Sequence, residues 1–115
     1  MAAVIDPNTV EELKTTLGAD FVNELIDTYC AETPGLLDQL HLALRQNDAE
    51  SFRRAAHSMK SSSASLGALE FSAQARELEI LGKGGDISGA DEKVAGLNAA
   101  YVEVARALRA LVTYP

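Results

Sequence analysis

The stretch RRAAHSMKSSSASLGA, residues 53–68, predicts a helix that ends at a Leu-Gly pair. One face of this helix is apolar or small at helical spacing, and we expect that face to be buried. The predicted inward positions are Phe52, Ala55 or Ala56, Met59, Ser62 or Ser63, and Leu66. A second face, at spacings i, i+3, i+4 and i+7, carries His57, Lys60, Ser61 and Ala64. The histidine is therefore expected to point outward or to the boundary of the core.

Helical periodicity continues toward the N-terminus. Asp6 and Pro7 predict the start of a short helix, as the N-cap and the first helical residue, and Gly18 predicts its end. A long helix follows from about residue 20, and we interpret it as one helix kinked at Pro34, with two separate helices as the alternative. Its predicted apolar stripe consists of Phe21, Leu25, Ile26, Tyr29, Thr33, Leu36, Leu37, Leu40 and Leu44.

The C-terminal half keeps the helical pattern. Asn47 and Glu50 resemble the two ends of a capping box that begins the third helix. A fourth helix is predicted over about residues 68–81, and the glycine-rich GKGGDISG, residues 82–89, predicts a loop. The last helix presents a seam of Val94, Leu97, Tyr101, Val104, Leu108 and Leu111. The prediction is an all-α fold: an antiparallel up-down four-helix bundle with a short additional N-terminal helix.

Composition narrows the possible functions. The chain has 115 residues, which suggests a single domain over residues 1–115. Its net charge of -7 makes nucleic acids and anionic membranes poor partners, and no apolar run approaches the roughly 20 residues of a membrane span. Cys30 is the one cysteine, which excludes an internal disulfide and fits a reducing compartment. We therefore expect a cytoplasmic protein, and a monomer because the apolar stripes face the bundle interior.

His57 stands among cations in an otherwise acidic chain. Arg53, Arg54 and Lys60 lie within about one turn of it, and residues 53–60 contain no acid. Positive neighbours favour a neutral, nucleophilic imidazole and would stabilise an anionic group placed on it. Those properties suit a histidine that accepts a phosphoryl group. No metal site is predicted, because the positions four residues from His57 and from His41 carry no carboxylate or imidazole.

The segment HSMKSSSASLGA, residues 57–68, resembles the signature His-x-x-Lys-Gly-Ser-Ser-x-x-Leu-Gly-Ala of histidine-containing phosphotransfer (HPt) domains. The matching positions are His57, Lys60, Ser62, Ser63, Leu66, Gly67 and Ala68. The resemblance covers nearly the whole chain, since the long second helix is similar and the Leu78-Glu79 pair matches the Leu-Glu that closes the family's next helix. One position departs from the signature, because Ser61 stands where the family most often has glycine.

The resemblance implies a role for each matching residue. His57 would be phosphorylated on a solvent-facing ring nitrogen, with Lys60 beside the phosphate. Ser62 and Ser63 would be structural, with hydroxyls that bond to backbone carbonyls, and Gly67 would allow the close turn after the helix. Glu79 would orient the ring or a partner, and Lys83 would screen the phosphate. The remaining expected positions are the phosphate neighbour Ser61, the motif residue Leu66, and the partner-docking residues Arg53, Arg54 and Ala64.

The implied function is that of a phosphorelay intermediate. His57 would accept a phosphoryl group from an aspartyl phosphate on one response-regulator receiver domain and pass it to an aspartate on another. A sensor (hybrid) histidine kinase would stand upstream, and the receiver would bind Mg2+, so this chain would need no cofactor and no kinase activity of its own. Ser61 predicts modest retuning of this transfer. The sequence leaves open whether the chain is a stand-alone protein or the C-terminal domain of a hybrid kinase.

Two alternatives remain open from the sequence. One is a helical adaptor that binds a receiver or a kinase without being phosphorylated, although retention of His57 and Lys60 argues against it. The other is the phosphoacceptor domain of a chemotaxis kinase, which usually has an aromatic residue where this chain has Leu66. A serine hydrolase built on Ser61 and His57 is disfavoured, because the amides in the middle of a helix are already bonded and supply no oxyanion hole.

Overall fold

The structure is a computed structural model that describes residues 4–112. Within that range every regular element is a helix, which confirms the all-α prediction. The helices are α1 (Pro7–Leu17), α2 (Ala19–Arg45), α3 (Ala49–Ser65), α4 (Leu69–Gly84) and α5 (Asp91–Ala110). The first three and the last three residues of the predicted domain lie outside the described range. No helix among residues 4–112 combines the length and the apolar character needed to cross a bilayer.

The helices enclose one apolar core. α2 contacts α3, α3 contacts α4, α4 contacts α5, and α5 returns to α2, while α1 packs against α2. The largest completely buried side chains include Val10, Ile26, Leu40, Phe52, Met59, Leu78, Ile87, Leu97 and Leu108. Each is worth roughly 1.5–3 kcal/mol when removed from water. Because Phe52 and Met59 are buried as predicted, the opposite face of α3, which carries His57, is turned toward the surface.

The turn between α3 and α4 holds the beginning of α1. Asp6 caps α1 by accepting a hydrogen bond from the backbone N–H of Asn8 at 3.1 Å, and its own N–H donates to the carbonyl of Gly67 at 2.9 Å. Gly67 has φ +83°, and a Cβ added there would lie 3.0 Å from Cβ of Thr9. Glycine is therefore required here both for the left-handed backbone and for the close approach of α1.

α2 runs without interruption through Pro34, so the alternative of two helices is wrong. Proline has no N–H, and the carbonyl four residues earlier, that of Cys30, loses its usual partner within the helix. The hydroxyl of Tyr101 on α5 donates to this carbonyl at 3.2 Å. One turn of α2 is thus completed by a side chain from a different helix.

One predicted core position of α2 is wrong. Phe21 is 48% exposed, whereas its neighbour Val22 is completely buried. Adjacent residues of an α-helix point about 100° apart, so only one of two neighbouring apolar residues can face the core directly. The buried stripe runs through Val22, Ile26 and Tyr29, which leaves Phe21 on the outer side.

The start of α3 also differs from the prediction. Asp48, not Asn47, is the N-cap: its carboxylate accepts from the backbone N–H of Ser51 at 3.1 Å and from the hydroxyl of the same residue at 2.7 Å. Asn47 instead adopts a left-handed conformation, φ +54°, and the following N–H bonds back to the carbonyl of Ala43 at 2.9 Å. Asn47 therefore belongs to the C-terminal turn of α2.

The predicted loop at residues 82–89 begins too early. α4 continues to Gly84 and ends at Gly85, which has φ +81°. Gly82 lies inside the helix and faces α3, where an added Cβ would be 2.9 Å from Cα and 2.8 Å from Cβ of Arg53. The absence of a side chain at Gly82 therefore allows α3 and α4 to approach closely, one turn before His57 along α3.

Candidate functional site

His57 lies on the outer face of α3 and contacts α4. Its side chain is 53% exposed, and Nδ1 lies 2.5 Å from Oε2 of Glu79. The Glu79 side chain is only 4% exposed, so the structure places a buried carboxylate directly behind a surface histidine. A carboxylate can only accept a hydrogen bond, so Nδ1 carries the proton of the neutral ring. The lone pair of the neutral imidazole is then on Nε2, the other ring nitrogen.

Lys60 occupies the second oxygen of the same carboxylate. Its Nζ donates to Oε1 of Glu79 at 2.7 Å, and its side chain is 29% exposed. Its backbone carbonyl accepts from the hydroxyl of Ser72 on α4 at 2.8 Å, a contact that no sequence motif predicts. His57, Lys60 and Glu79 therefore form one hydrogen-bonded cluster, in which the backbone of α3 is also tied to α4.

The charge of Glu79 corrects the electrostatic argument made from the sequence. The hydrogen bond from Lys60 lowers the pKa of the Glu79 carboxyl below its ordinary value of 4.5, with a smaller contribution from His57, against the raising effect of burial. The charged sequence neighbours of His57 within residues 53–60 are all cations. The structure adds an anion in direct contact with the ring, so a positive charge that develops on the imidazole has a buried counterion.

The three consecutive serines that follow Lys60 have different surroundings. Ser61 is exposed, Ser62 is half-buried with its hydroxyl 3.4 Å from the carbonyl of Met59, and Ser63 is completely buried. The hydroxyl of Ser63 bonds to that of Tyr29 at 2.7 Å, and not to a backbone carbonyl as expected. Burial is the main cause that raises the pKa of Tyr29 to about 12. The Tyr29–Ser63 pair thus ties α2 to α3 inside the core.

The two arginines that are expected to contact a partner already form hydrogen bonds with Glu50. Arg53 donates to both carboxylate oxygens of Glu50, at 3.0 and 2.6 Å, and Arg54 donates to one at 3.3 Å. The hydrogen bond from Arg53 is the main cause that lowers the pKa of Glu50 to about 2. Lys83 is exposed one turn beyond Glu79 on α4 and makes no ion pair with a described residue, and Ala64 is exposed on α3.

A groove of about 550 Å³ opens beside His57 between α1, α2 and α3. Its walls are mostly apolar, and three leucines that are half-buried, Leu13, Leu25 and Leu36, contribute to them. Its lining also includes Thr28, Tyr29, Glu32, Thr33, Ser58, Ser61, Ser62, Ser65 and Leu66. Sequence reasoning missed this groove, because it depends on how α1 is folded back onto α2. Among residues 4–112, no three His, Cys, Asp or Glu side chains gather as a metal site would require.

Comparison with known proteins places this geometry in a family. The family model described as "Hpt domain" matches residues 24–113. The chain is similar to the crystal structure of histidine-containing phosphotransfer protein B (HptB) from Pseudomonas aeruginosa PAO1, with 25% sequence identity and a TM-score of 0.87 over 95% of this chain and 94% of that one. No curated protein sequence matches the chain. The family match spans most of the chain, and on this evidence the protein belongs to the Hpt domain family.

Proposed function

We propose that this protein is a phosphorelay intermediate whose phosphoacceptor is His57. The phosphorelay role is supported by membership in the Hpt domain family and by the likeness to HptB. The observation that carries the assignment of His57 is its contact with Glu79, which leaves a half-exposed ring with Nδ1 bonded and Nε2 available. The phosphoryl group comes from an aspartyl phosphate on one receiver domain and passes to an aspartate on another.

The proposed transfer needs only a nucleophile, a leaving group and charge balance. The Nε2 lone pair attacks phosphorus, the bond from phosphorus to the aspartyl oxygen breaks, and the receiver carboxylate leaves with that electron pair. The proton stays on Nδ1, where Glu79 stabilises the positive charge of the phosphorylated ring. In the onward step a second receiver carboxylate attacks phosphorus, and the electron pair of the N–P bond returns to Nε2. The receiver supplies the Mg2+.

The other site residues assist in this proposal through charge and position. Lys60, half-buried one turn from His57 and bonded to the same carboxylate, supplies a cation for the phosphoryl oxygens, and the exposed Lys83 adds a further positive charge. Ser61 is exposed beside the ring, where its hydroxyl can donate to the phosphoryl group. The surface of this protein on which the receiver docks is proposed to include Arg53, Arg54 and Ala64.

The proposal includes an organisation and a setting for the molecule. The contacts that link α2, α3, α4 and α5 in a ring support an antiparallel up-down four-helix bundle, to which α1 is added. Burial of most of the predicted apolar positions supports a monomer. The single cysteine, Cys30, is free and buried, which is ordinary for a protein of the reducing cytoplasm. The proposed partners of the protein there are receiver domains and a sensor (hybrid) kinase.

Phosphoryl transfer from a phosphorylated receiver tests the proposal. Wild type, His57→Gln and His41→Gln are compared by intact mass, and each adduct is then treated with acid. An acid-labile adduct on wild type and on His41→Gln, but not on His57→Gln, is expected, because His41 is the other histidine and lies outside the site. Receiver binding that survives in His57→Gln, without any adduct on wild type and with unchanged pathway output, would establish an adaptor instead.

A further inference from the structure

Among residues 4–112, Glu32 is the one carboxylate that lines the groove beside His57. It is exposed on α2 and makes no hydrogen bond or ion pair with any residue between 4 and 112. Leu25 and Thr28 lie seven and four residues before Glu32, and Leu36 lies four residues after it, so all three share its face of the helix. They also line the same groove. An unpaired anion therefore stands in a groove whose walls are mostly apolar, at the site where a partner must approach the histidine.

Exposed apolar side chains continue beyond the groove on both α1 and α2. Phe21, 48% exposed, lies one turn before Leu25 on α2, and Leu17 on α1 is 46% exposed one turn after Leu13. Both positions continue the apolar lining toward the corner between the two helices. A partner that reaches His57 and covers this surface must also cover Glu32.

Covering an unpaired carboxylate with an apolar surface is costly. The carboxylate loses water, and the loss is offset only if the covering surface brings a hydrogen-bonded cation of its own. The surrounding charge acts in the same direction, because residues 6–38 contain eight acidic side chains and a single base, Lys14. An acidic or purely apolar partner face is therefore disfavoured on this side of His57, and a basic one is favoured.

We infer that Glu32 is a specificity-determining residue that selects receivers with a lysine or arginine next to the apolar side chains of their docking face. The inference rests on the proposed function, since it identifies the partner of the same site. The clusters around Glu50 and Glu79 play no part in it, because both carboxylates already have cations bound. The expected partner has an apolar patch that enters the groove and a cation at its edge.

The test compares Glu32→Lys, Glu32→Gln and Asp27→Lys with wild type. Asp27 is exposed on α2, five residues before Glu32 and outside the groove, so Asp27→Lys makes the same change in net charge on another face. Transfer rates are measured with phosphorylated receivers that have a basic or an acidic face around the aspartate. For basic receivers, Glu32→Lys is expected to slow transfer by about tenfold or more, Glu32→Gln less, and Asp27→Lys little.

Two further observations complete the test. The difference in transfer rate between wild type and Glu32→Lys should become smaller at about 0.5 M salt. With receivers that have an acidic face, Glu32→Lys should transfer faster than wild type. An unchanged order of receivers, or equal effects of Glu32→Lys and Asp27→Lys, would overturn the inference while leaving the proposed function intact. If wild type accepts no phosphoryl group from any receiver, the proposed function fails, and the inference fails with it.

Discussion

Nδ1 of His57 lies 2.5 Å from Oε2 of Glu79, a carboxylate 22 residues later in the chain and almost completely buried. The proposed phosphoacceptor is thus oriented by a residue on a different helix. Lys60 holds the other oxygen of that carboxylate, so removal of Glu79 affects two side chains of α3 together. This shared dependence leads to the first two predictions.

Glu79→Gln should destabilise the fold and slow phosphoryl transfer. Lys60 would keep a half-buried charge without its counterion, which costs roughly 1–3 kcal/mol of unfolding free energy. The ring would lose the anion behind Nδ1, and we expect about a tenfold slower transfer from a phosphorylated receiver. Urea unfolding and single-turnover transfer measure the two effects. Glu77→Gln is the control, because its pair with Lys93 is exposed and worth about 0–1 kcal/mol; equal behaviour of the two variants would refute the prediction.

The stability supplied by Glu79 should depend on pH in the acid range. Its pKa in the folded protein is lowered from 4.5, mainly by the hydrogen bond from Lys60, so the folded state favours the ionised carboxylate. The contribution is therefore present above the ordinary pKa and is lost as the pH falls through the lowered value. The difference in unfolding free energy between wild type and Glu79→Gln should shrink below pH 4.5. Glu50 is present in both proteins, so its contribution cancels in the difference between their unfolding free energies. A difference that grows as the pH falls would contradict the assignment of this pH dependence to Glu79.

Gly82→Ala should destabilise the protein, and Gly84→Ala should not. A Cβ at Gly82 would lie 2.9 Å from the Cα of Arg53, so α3 and α4 would have to separate at a cost of roughly 1–3 kcal/mol. Gly84 is in the same helix with no atom within 4 Å of such a Cβ, and alanine there should gain up to about 1 kcal/mol. Thermal unfolding of both variants distinguishes a packing effect from helix propensity; two stabilised variants would show that the helices can separate freely.

Tyr101→Phe should cost about 0.5–1.5 kcal/mol, because the carbonyl of Cys30 would lose its hydroxyl donor. In a Pro34→Ala background the restored N–H of residue 34 can bond to that carbonyl within α2. The cost of Tyr101→Phe should therefore be smaller in this background. A double-mutant cycle by chemical denaturation measures the coupling, and strictly additive effects would indicate that Tyr101 does not replace the missing bond.

Local rules predicted a good part of the fold and little of the site geometry. Asp6, Pro7 and Gly18 define α1 from the sequence because caps act on their immediate neighbours. The predicted core position at Phe21 is wrong, because periodicity alone does not decide between Phe21 and Val22. Hydrophobic periodicity gives the spacing of the buried residues, but it does not give the direction in which the neighbouring helix lies.

The site needed contacts between helices that no local rule supplies. The sequence indicated His57 and Lys60 through their spacing on one helix, and Glu79 only through resemblance. That Glu79 bonds to both depends on how closely α4 approaches α3, which Gly82 controls. The groove beside the ring likewise required the packing of α1 against α2, which no motif records.

The hydrogen bond from Asp6 to Gly67 joins the start of α1 to the turn that ends the histidine motif. The family match starts at residue 24, inside α2, and leaves out all of α1. Yet α1 is fastened to the turn that ends the histidine motif, buries Val10 and supplies Leu13 to the groove. A chain cut at residue 24 would keep every residue of the motif and lose one wall of the surface beside it. The segment that the family model matches and the segment that packs against the histidine motif therefore begin at different positions in this sequence.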